Sequence, residues 1–330
     1  MRLLFPLTFL ANALLVSLVI TQTFAADFIF DPVIDIRKEE AEIKNRFLPS
    51  KNQAFFVNSN SETGHELWIS DGNEVGTAIV KDINPGPDGS YPWSLAEMEG
   101  RMVFSASDGV HGYELWMSDG TKDGTFMVKD IYAGASHSSP WNITIVNGIL
   151  FFSASDSICG DELWMSDGTE GGTRLVKDIH PGPTGSNPTG LTEIDGILFF
   201  SASDGQNGYE LWRSDGTEDG TRLVKDIHPG PTGSNPRDLT EIEGILFFSA
   251  SDGQNGYELW RSDGSDSGTF LLKDIRQASD NCFPYGLKAV NRTLFFRTSD
   301  DQNGDELWMS DGTEDGTRLV KDIHPGPTGS

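Results

Sequence analysis

The triplet Glu-Leu-Trp begins at Glu66, Glu114, Glu162, Glu210, Glu258 and Glu306, each 48 residues after the last, with no insertion or deletion. A fixed period of this length marks a repeat architecture, in which each unit buries its apolar faces only by stacking on its neighbours. Copies 181–228 and 229–276 differ at only nine positions. Residues that obey the period therefore report the scaffold. Those that break it are the better candidates for function.

One period, residues 191–238, divides into short strands and turns. Leu191–Ile194 ends at Asp195-Gly196, and Ile197–Ser203 ends at the turn from Asp204 to Gly208. Tyr209–Ser214 ends at the turn from Asp215 to Gly220, and Thr221–Ile227 runs into the loop His228–Pro236. Asp-Gly and Asn-Gly pairs supply the positive φ that tight turns need. Four short antiparallel strands per period predict one propeller blade, and a helical 3.6-residue pattern is absent. The expected fold is all-β: a six-bladed β-propeller of four-stranded antiparallel blades. Residues 43–330 hold six whole periods. Phe47–Ser50 is in register to pair with Thr317–Ile323 of the last copy, so the expected disc is closed by an N-terminal strand, which removes exposed sheet edges. A repeat array continuing past Ser330 is the alternative.

The N-terminus reads as an address. Met1-Arg2 is followed by the apolar run Leu3–Ile20 and by Thr23-Phe24-Ala25, small residues at the −3 and −1 positions of a cleavage site. Residues 1–25 are the expected signal peptide and 26–42 an N-terminal extension before the propeller at 43–330. The chain is then exported, to the periplasm or the medium, and has no membrane span after cleavage. An uncleaved anchor is the competing reading. Asp and Glu number 50 against 24 Lys and Arg, a net charge of −26, which excludes nucleic acid as a partner because that affinity needs a basic footprint. With 20 Phe and 8 Trp the chain has too much aromatic material for a disordered acidic tail. Cys159 and Cys282 fall two blades apart, so no intramolecular disulfide is expected.

Within a blade, pairing Ser214 with Thr221 places Trp212 opposite Leu223 and Glu210 opposite Lys225. The same pairing in every copy predicts a Glu–Lys ladder. A two-residue shift would instead set Lys225 over Trp212. The acidic Asp-Gly turns admit a weak calcium reading, but neither turn has the alternating ligands of a calcium loop, so no metal site and no cofactor are expected.

The strings ELWISDG, ELWMSDGT and ELWRSDGT, with the following GTxLVKDI, resemble the ELWxxDGT repeat family of exported bacterial proteins over nearly all of residues 45–330. FFSASDGQNGYELWRSDGT is more distantly similar to the propeller repeat of TolB-like proteins. The resemblance implies an exported scaffold and a six-bladed propeller. It carries over no activity and no catalytic residue. Asn60 and Asn73 in the first copy, and Arg276–Cys282 in the fifth, depart from the pattern.

Four residues that break the period are the candidate binding residues. Trp93, Trp141 and Tyr285 follow the loop proline where other copies have Thr189 and Arg237. They lie on the rim that carries the long loops, where aromatics can contact a sugar or a partner chain or can cover apolar surface. Arg297 replaces Ser105, Ser153, Ser201 and Ser249. If its strand is innermost it reaches the central channel, to hold an anion or to neutralise nearby aspartates. No nucleophile elbow, phosphate loop or zinc spacing is present, so no catalytic residue is assigned. The expected function is a non-enzymatic exported scaffold that binds a protein or polysaccharide partner. The alternatives are a propeller hydrolase or lyase with a site at the channel, and a fragment of a larger repeat adhesin. Convergence of Arg297, His65 or His111 with carboxylates around one cavity would favour the enzyme.

Overall fold

The computed structural model describes residues 48–50, 53–276 and 281–327. The expected signal peptide and the 26–42 extension lie outside the described residues, as do four residues of the divergent loop 276–282. Among the described residues the chain forms six four-stranded antiparallel sheets, each built from one contiguous stretch, and no helix able to cross a membrane. These propeller-like blades span residues 48–79, 93–129, 141–177, 189–225, 237–273 and 285–321. Blade 4 shows the plan: strand a is Thr189–Ile194, b is Ile197–Ser203, c is Tyr209–Ser214 and d is Arg222–Lys225. Asp195 and Gly196, at φ 49° and 80°, turn a into b with both central residues left-handed, the geometry that matches strand twist.

Strand b is buried from Leu198 to Ala202 because a neighbouring blade covers each of its faces. Phe200, Ala202 and Trp212 meet Phe151, Leu163 and Val176 of blade 3. On the other face Phe199, Leu211 and Val224 meet Leu246, Phe248 and Trp260 of blade 5. The same apolar contact joins blades 1 and 2, 2 and 3, and 5 and 6. The hydrophobic core is thus a series of five equivalent interfaces rather than one centre.

Two sequence expectations are corrected here. Leu48–Ser50 pairs with strand b of its own blade, Leu48 opposite Phe55, and not with Thr317–Ile323. Blade 6 has its own strand a, Tyr285–Val290, and so four strands from its own stretch of chain. Among the described residues no buried apolar cluster joins blade 6 to blade 1, and Leu307 on the outward face of blade 6 is 36% exposed where Leu211 of blade 4 is fully buried.

The Glu–Lys ladder is also absent. Trp212 does face Leu223, and the Ser214 and Thr221 hydroxyls lie 2.8 Å apart. A bulge between Leu211 and Trp212 then sets Lys225 opposite Leu211. The extra residue, Val224, turns into the blade interface. Lys225 Nζ donates instead to the Thr269 carbonyl of the next blade, at 2.9 Å. Lys81, Lys129, Lys177 and Lys273 do the same. The alternative two-residue shift does not occur either.

Freed from the ladder, the Glu210 carboxylate turns inward and accepts from the backbone N–H groups of Ile227, His228 and Ser234 and from the Ser234 hydroxyl. This clasp pins the long inter-blade loop. In blade 5 the thiol of Cys282 takes the place of that serine, donating to Glu258 at 3.0 Å. Burial pushes the Glu114, Glu162 and Glu258 carboxyls up to about 7, against the lowering effect of their hydrogen bonds.

Candidate functional site

Strand a is the inner edge of each blade. The Thr144 hydroxyl donates to the Leu191 carbonyl and that of Thr240 to the Leu287 carbonyl, both at 3.2 Å, so inner strands of adjacent blades touch. The inner strands of blades 2 to 6 also bulge just after their first residue. The residue that absorbs the bulge is left-handed in all five complete copies: Ser94, Asn142, Gly190, Asp238 and Gly286. The two glycines adopt that backbone at no steric cost, Asn142 and Asp238 at little, and Ser94 at more.

These bulges border an inner cavity of about 810 Å³. Blades 2 to 5 contribute Ser94, Asn142, Gly190 and Asp238, with Leu95, Ile143, Leu191 and Leu239 beside them. Val57 and His65 of blade 1 and the loop residues Tyr91 and Pro92 complete the wall, next to Trp93. The His65 and Tyr91 rings stack at 4.8 Å. Trp93 remains 39% exposed.

The four candidate residues separate. Trp93 lines the cavity, and Trp141, at the equivalent place one blade on, is half-buried and outside its lining. Tyr285 and Arg297 come together on blade 6, where both donate to Asp305 Oδ2 at 2.8 Å. The Arg297 guanidinium also lies over the Tyr285 ring, 5.3 Å from its centre. Burial and the Asp305 carboxylate both raise the Tyr285 hydroxyl above its usual range. The condition attached to Arg297 fails: it stands on strand b, one strand out from the inner edge, because strand a is innermost.

His111 pairs with Asp108 in the turn of its own blade, at 2.7 Å, and that carboxylate raises its imidazolium. Neither His111 nor Arg297 joins His65 at the cavity, where Asp238 is the one carboxylate among the lining residues. The acidic turns are internally satisfied. Asp215 Oδ1 accepts from the Thr217 N–H and hydroxyl, and these bonds hold its carboxyl below the usual range. Among the described residues no group of three or more His, Cys, Asp or Glu is arranged to hold a metal.

Sequence reasoning stopped one residue short. It singled out the first position of strand a and missed the second, where Ser94, Asn142 and Asp238 sit. The signal was present: the copies disagree at the second position as much as at the first. What hid it was the bulge, which aims a nominally alternating residue into the cavity.

No family model and no curated protein matches the chain. Among solved structures it is similar to oligopeptidase B from Leishmania major, at 11% identity over 84% of this chain and 41% of that one, with a TM-score of 0.51. It is similar to prolyl oligopeptidase B from Galerina marginata at 12% identity, over 83% and 42% of the two chains, with a TM-score of 0.50. At these identities the likeness shows a β-propeller-like fold alone. The chain spans about two fifths of either enzyme's length.

Proposed function

We propose that this chain is a non-enzymatic exported scaffold that binds a protein or polysaccharide partner at its inner cavity and the adjoining loop-bearing rim. The observation that carries the reading is the cavity itself, lined by an exposed Trp93 and by residues that differ from copy to copy on otherwise repeating strands. Rigid strands hold those side chains in place, as a preorganised binding surface requires. Export rests on the pattern of residues 1–25. The hydrolase alternative finds less support, since one carboxylate and a histidine stacked on tyrosine do not make an acid–base pair.

Closure into a complete six-bladed propeller is a separate element of the proposal. It requires the open face of blade 6, with Leu307, Val320 and Ile323, to meet the face of blade 1 that carries Phe56 and Trp68. That would add a sixth copy of the internal interface.

The test of the binding reading is thermal unfolding of the chain from residue 26 onward against glycan and peptide panels. A ligand of the native state raises the midpoint by mass action. A shift that disappears in Trp93→Ala supports the reading. Catalytic turnover of any panel member would replace it with the enzyme alternative.

A further inference from the structure

The inner cavity also bears on what kind of ligand it takes, an inference that rests on the binding reading above. We infer that it accepts an uncharged oligosaccharide, with Trp93 as a stacking platform and Ser94, Asn142 and Asp238 as the hydrogen-bonding edge.

The repeat supplies the first argument. Copies 181–228 and 229–276 differ at nine positions, and two of those are the first two residues of strand a, Thr189-Gly190 against Arg237-Asp238. Asp238 Oδ2 accepts from the Gly286 N–H of the next blade at 2.9 Å, a bond that Gly190 cannot make; its other oxygen remains for a ligand. The four bulge positions from blade 2 to blade 5 read Ser, Asn, Gly, Asp. That sequence of groups presents an asymmetric edge on a pseudo-symmetric wall, suited to a ligand whose own groups differ from end to end.

Backbone strain supplies the second. Ser94, Asn142 and Asp238 hold φ of 54°, 53° and 54°, where blades 4 and 6 use glycine. Glycine would relax each site, yet polar side chains stand there, bordering the cavity. The serine is the costliest of the three, since Asn and Asp tolerate this backbone better, and strain of this kind gathers at binding sites.

Chemistry selects the class. The exposed rings of Trp93 and Tyr91 offer apolar faces to the C–H surface of a sugar ring. A hydroxyl, an amide and a carboxylate supply both donors and acceptors for sugar hydroxyls. Asp238 Oδ2 already accepts from the Gly286 N–H at 2.9 Å and Asn142 Nδ2 donates to the Pro188 carbonyl at 3.4 Å, which leaves Asp238 Oδ1, Asn142 Oδ1 and the Ser94 hydroxyl as polar groups that a wholly apolar ligand would not use. No Lys or Arg is among the lining residues, and Asp238 adds negative charge to a chain of net charge −26. Sulfated, phosphorylated and uronic acid ligands are therefore repelled. Arg237, the nearest cation in sequence, lies over the Tyr257 ring instead. The volume, about 810 Å³, suits a ligand of several rings.

The experiment is calorimetric titration of the chain from residue 26 with maltotriose, cellotriose and triacetylchitotriose as neutral probes. Trigalacturonic acid and a chitosan trimer are the anionic and cationic arms, and a peptide library is the protein-like arm. The expected result is binding of a neutral trimer, weakened about tenfold or more by Trp93→Ala. Asn142→Gly, which suits the left-handed backbone, weakens it likewise without lowering the melting temperature. Preference for a charged trimer overturns the uncharged class and leaves cavity binding standing. Peptide binding lost in Trp93→Ala, with no trimer bound, overturns the saccharide class in favour of a protein partner. Trimer binding untouched by both substitutions overturns the cavity as the site. Silence in every arm overturns this inference and the binding reading together.

Discussion

Blades 4 and 6 share twenty-one consecutive residues, SDGTEDGTRLVKDIHPGPTGS, at 214–234 and again at 310–330. Their apolar side chains do not share a fate. Val224 and Ile227 are 7% and 5% exposed in blade 4, whereas Val320 and Ile323 are 41% and 59% exposed in blade 6. Within the blade the two copies agree: the Ser310 and Thr317 hydroxyls meet at 2.7 Å as Ser214 and Thr221 do, and Trp308 faces Leu319 across the same bulge. The difference teaches that the local sequence specifies the blade and the neighbouring blade specifies the core.

The sharpest way to break that comparison is truncation on the two faces. Leu211→Ala removes a fully buried side chain from the interface of blades 4 and 5 and should cost about 2–5 kcal/mol. Trp212→Ala, on the opposite face, should cost about 3–5 kcal/mol. Leu307→Ala, the same change on blade 6, should cost as much as Leu211→Ala in the closed disc proposed above, and about 1 kcal/mol or less where that face stays open. Urea unfolding of the three variants measures this. A Leu307→Ala loss equal to that of Leu211→Ala would mean that the sixth face is packed in solution and the disc closes.

The buried glutamates sharpen it next, by asking how much stability the loop clasps contribute. Glu114, Glu162 and Glu258 titrate near 7 in the fold, raised by burial from an ordinary 4.5. Between those values the folded chain holds protons that the unfolded chain has lost. Their contribution is full below about pH 4.5 and is lost as pH rises through about 7. The melting temperature should fall by several degrees from pH 5 to pH 8, and Glu162→Gln should flatten the fall. A rise over that range would show the carboxylates to be better satisfied as anions. Below pH 4 the trend reverses, because Asp119, Asp167, Asp215 and Asp263 are lowered by their turn hydrogen bonds.

A smaller contrast lies in the lysines. Lys225 ties blade 4 to blade 5 through the Thr269 carbonyl, and Lys225→Met should cost about 1–2 kcal/mol. Lys321 is exposed on blade 6, so Lys321→Met should stay within about 0.5 kcal/mol where that face is open and match Lys225→Met where the disc closes. Smallest of all, and opposite in sign, Asn142→Gly should raise stability by about 0.3 kcal/mol, because asparagine already tolerates the left-handed backbone. Thermal scans of these three variants suffice.

Much of the blade was legible beforehand. Ile197–Ser203 and Tyr209–Ser214 are strands with the bounds that their turn residues announce. Strand a proved two residues longer than Leu191–Ile194, because an inner bulge continues the pairing through Thr189. Strand d proved shorter than Thr221–Ile227, because the chain leaves the sheet for the Glu210 clasp. At the site, Trp93 was legible because it breaks the period. Ser94, Asn142 and Asp238 were not, since strict alternation does not foresee a bulge. Charge complementarity misled at Glu210 and Lys225, whose partners are a loop backbone and the next blade.

The sequence alone determined the period, the four strands of each blade, the turns between them and the number of blades. Those depend on φ preferences and on residues close together in the chain, and each copy repeats them. The tertiary structure alone decided which strand faces inward, where the register slips, what each glutamate and lysine meets, and which copies of one sequence are buried. Those outcomes depend on partners farther along the chain, 17 and 24 residues away for the glutamate clasps and 44 for the lysines, and on the faces of neighbouring blades.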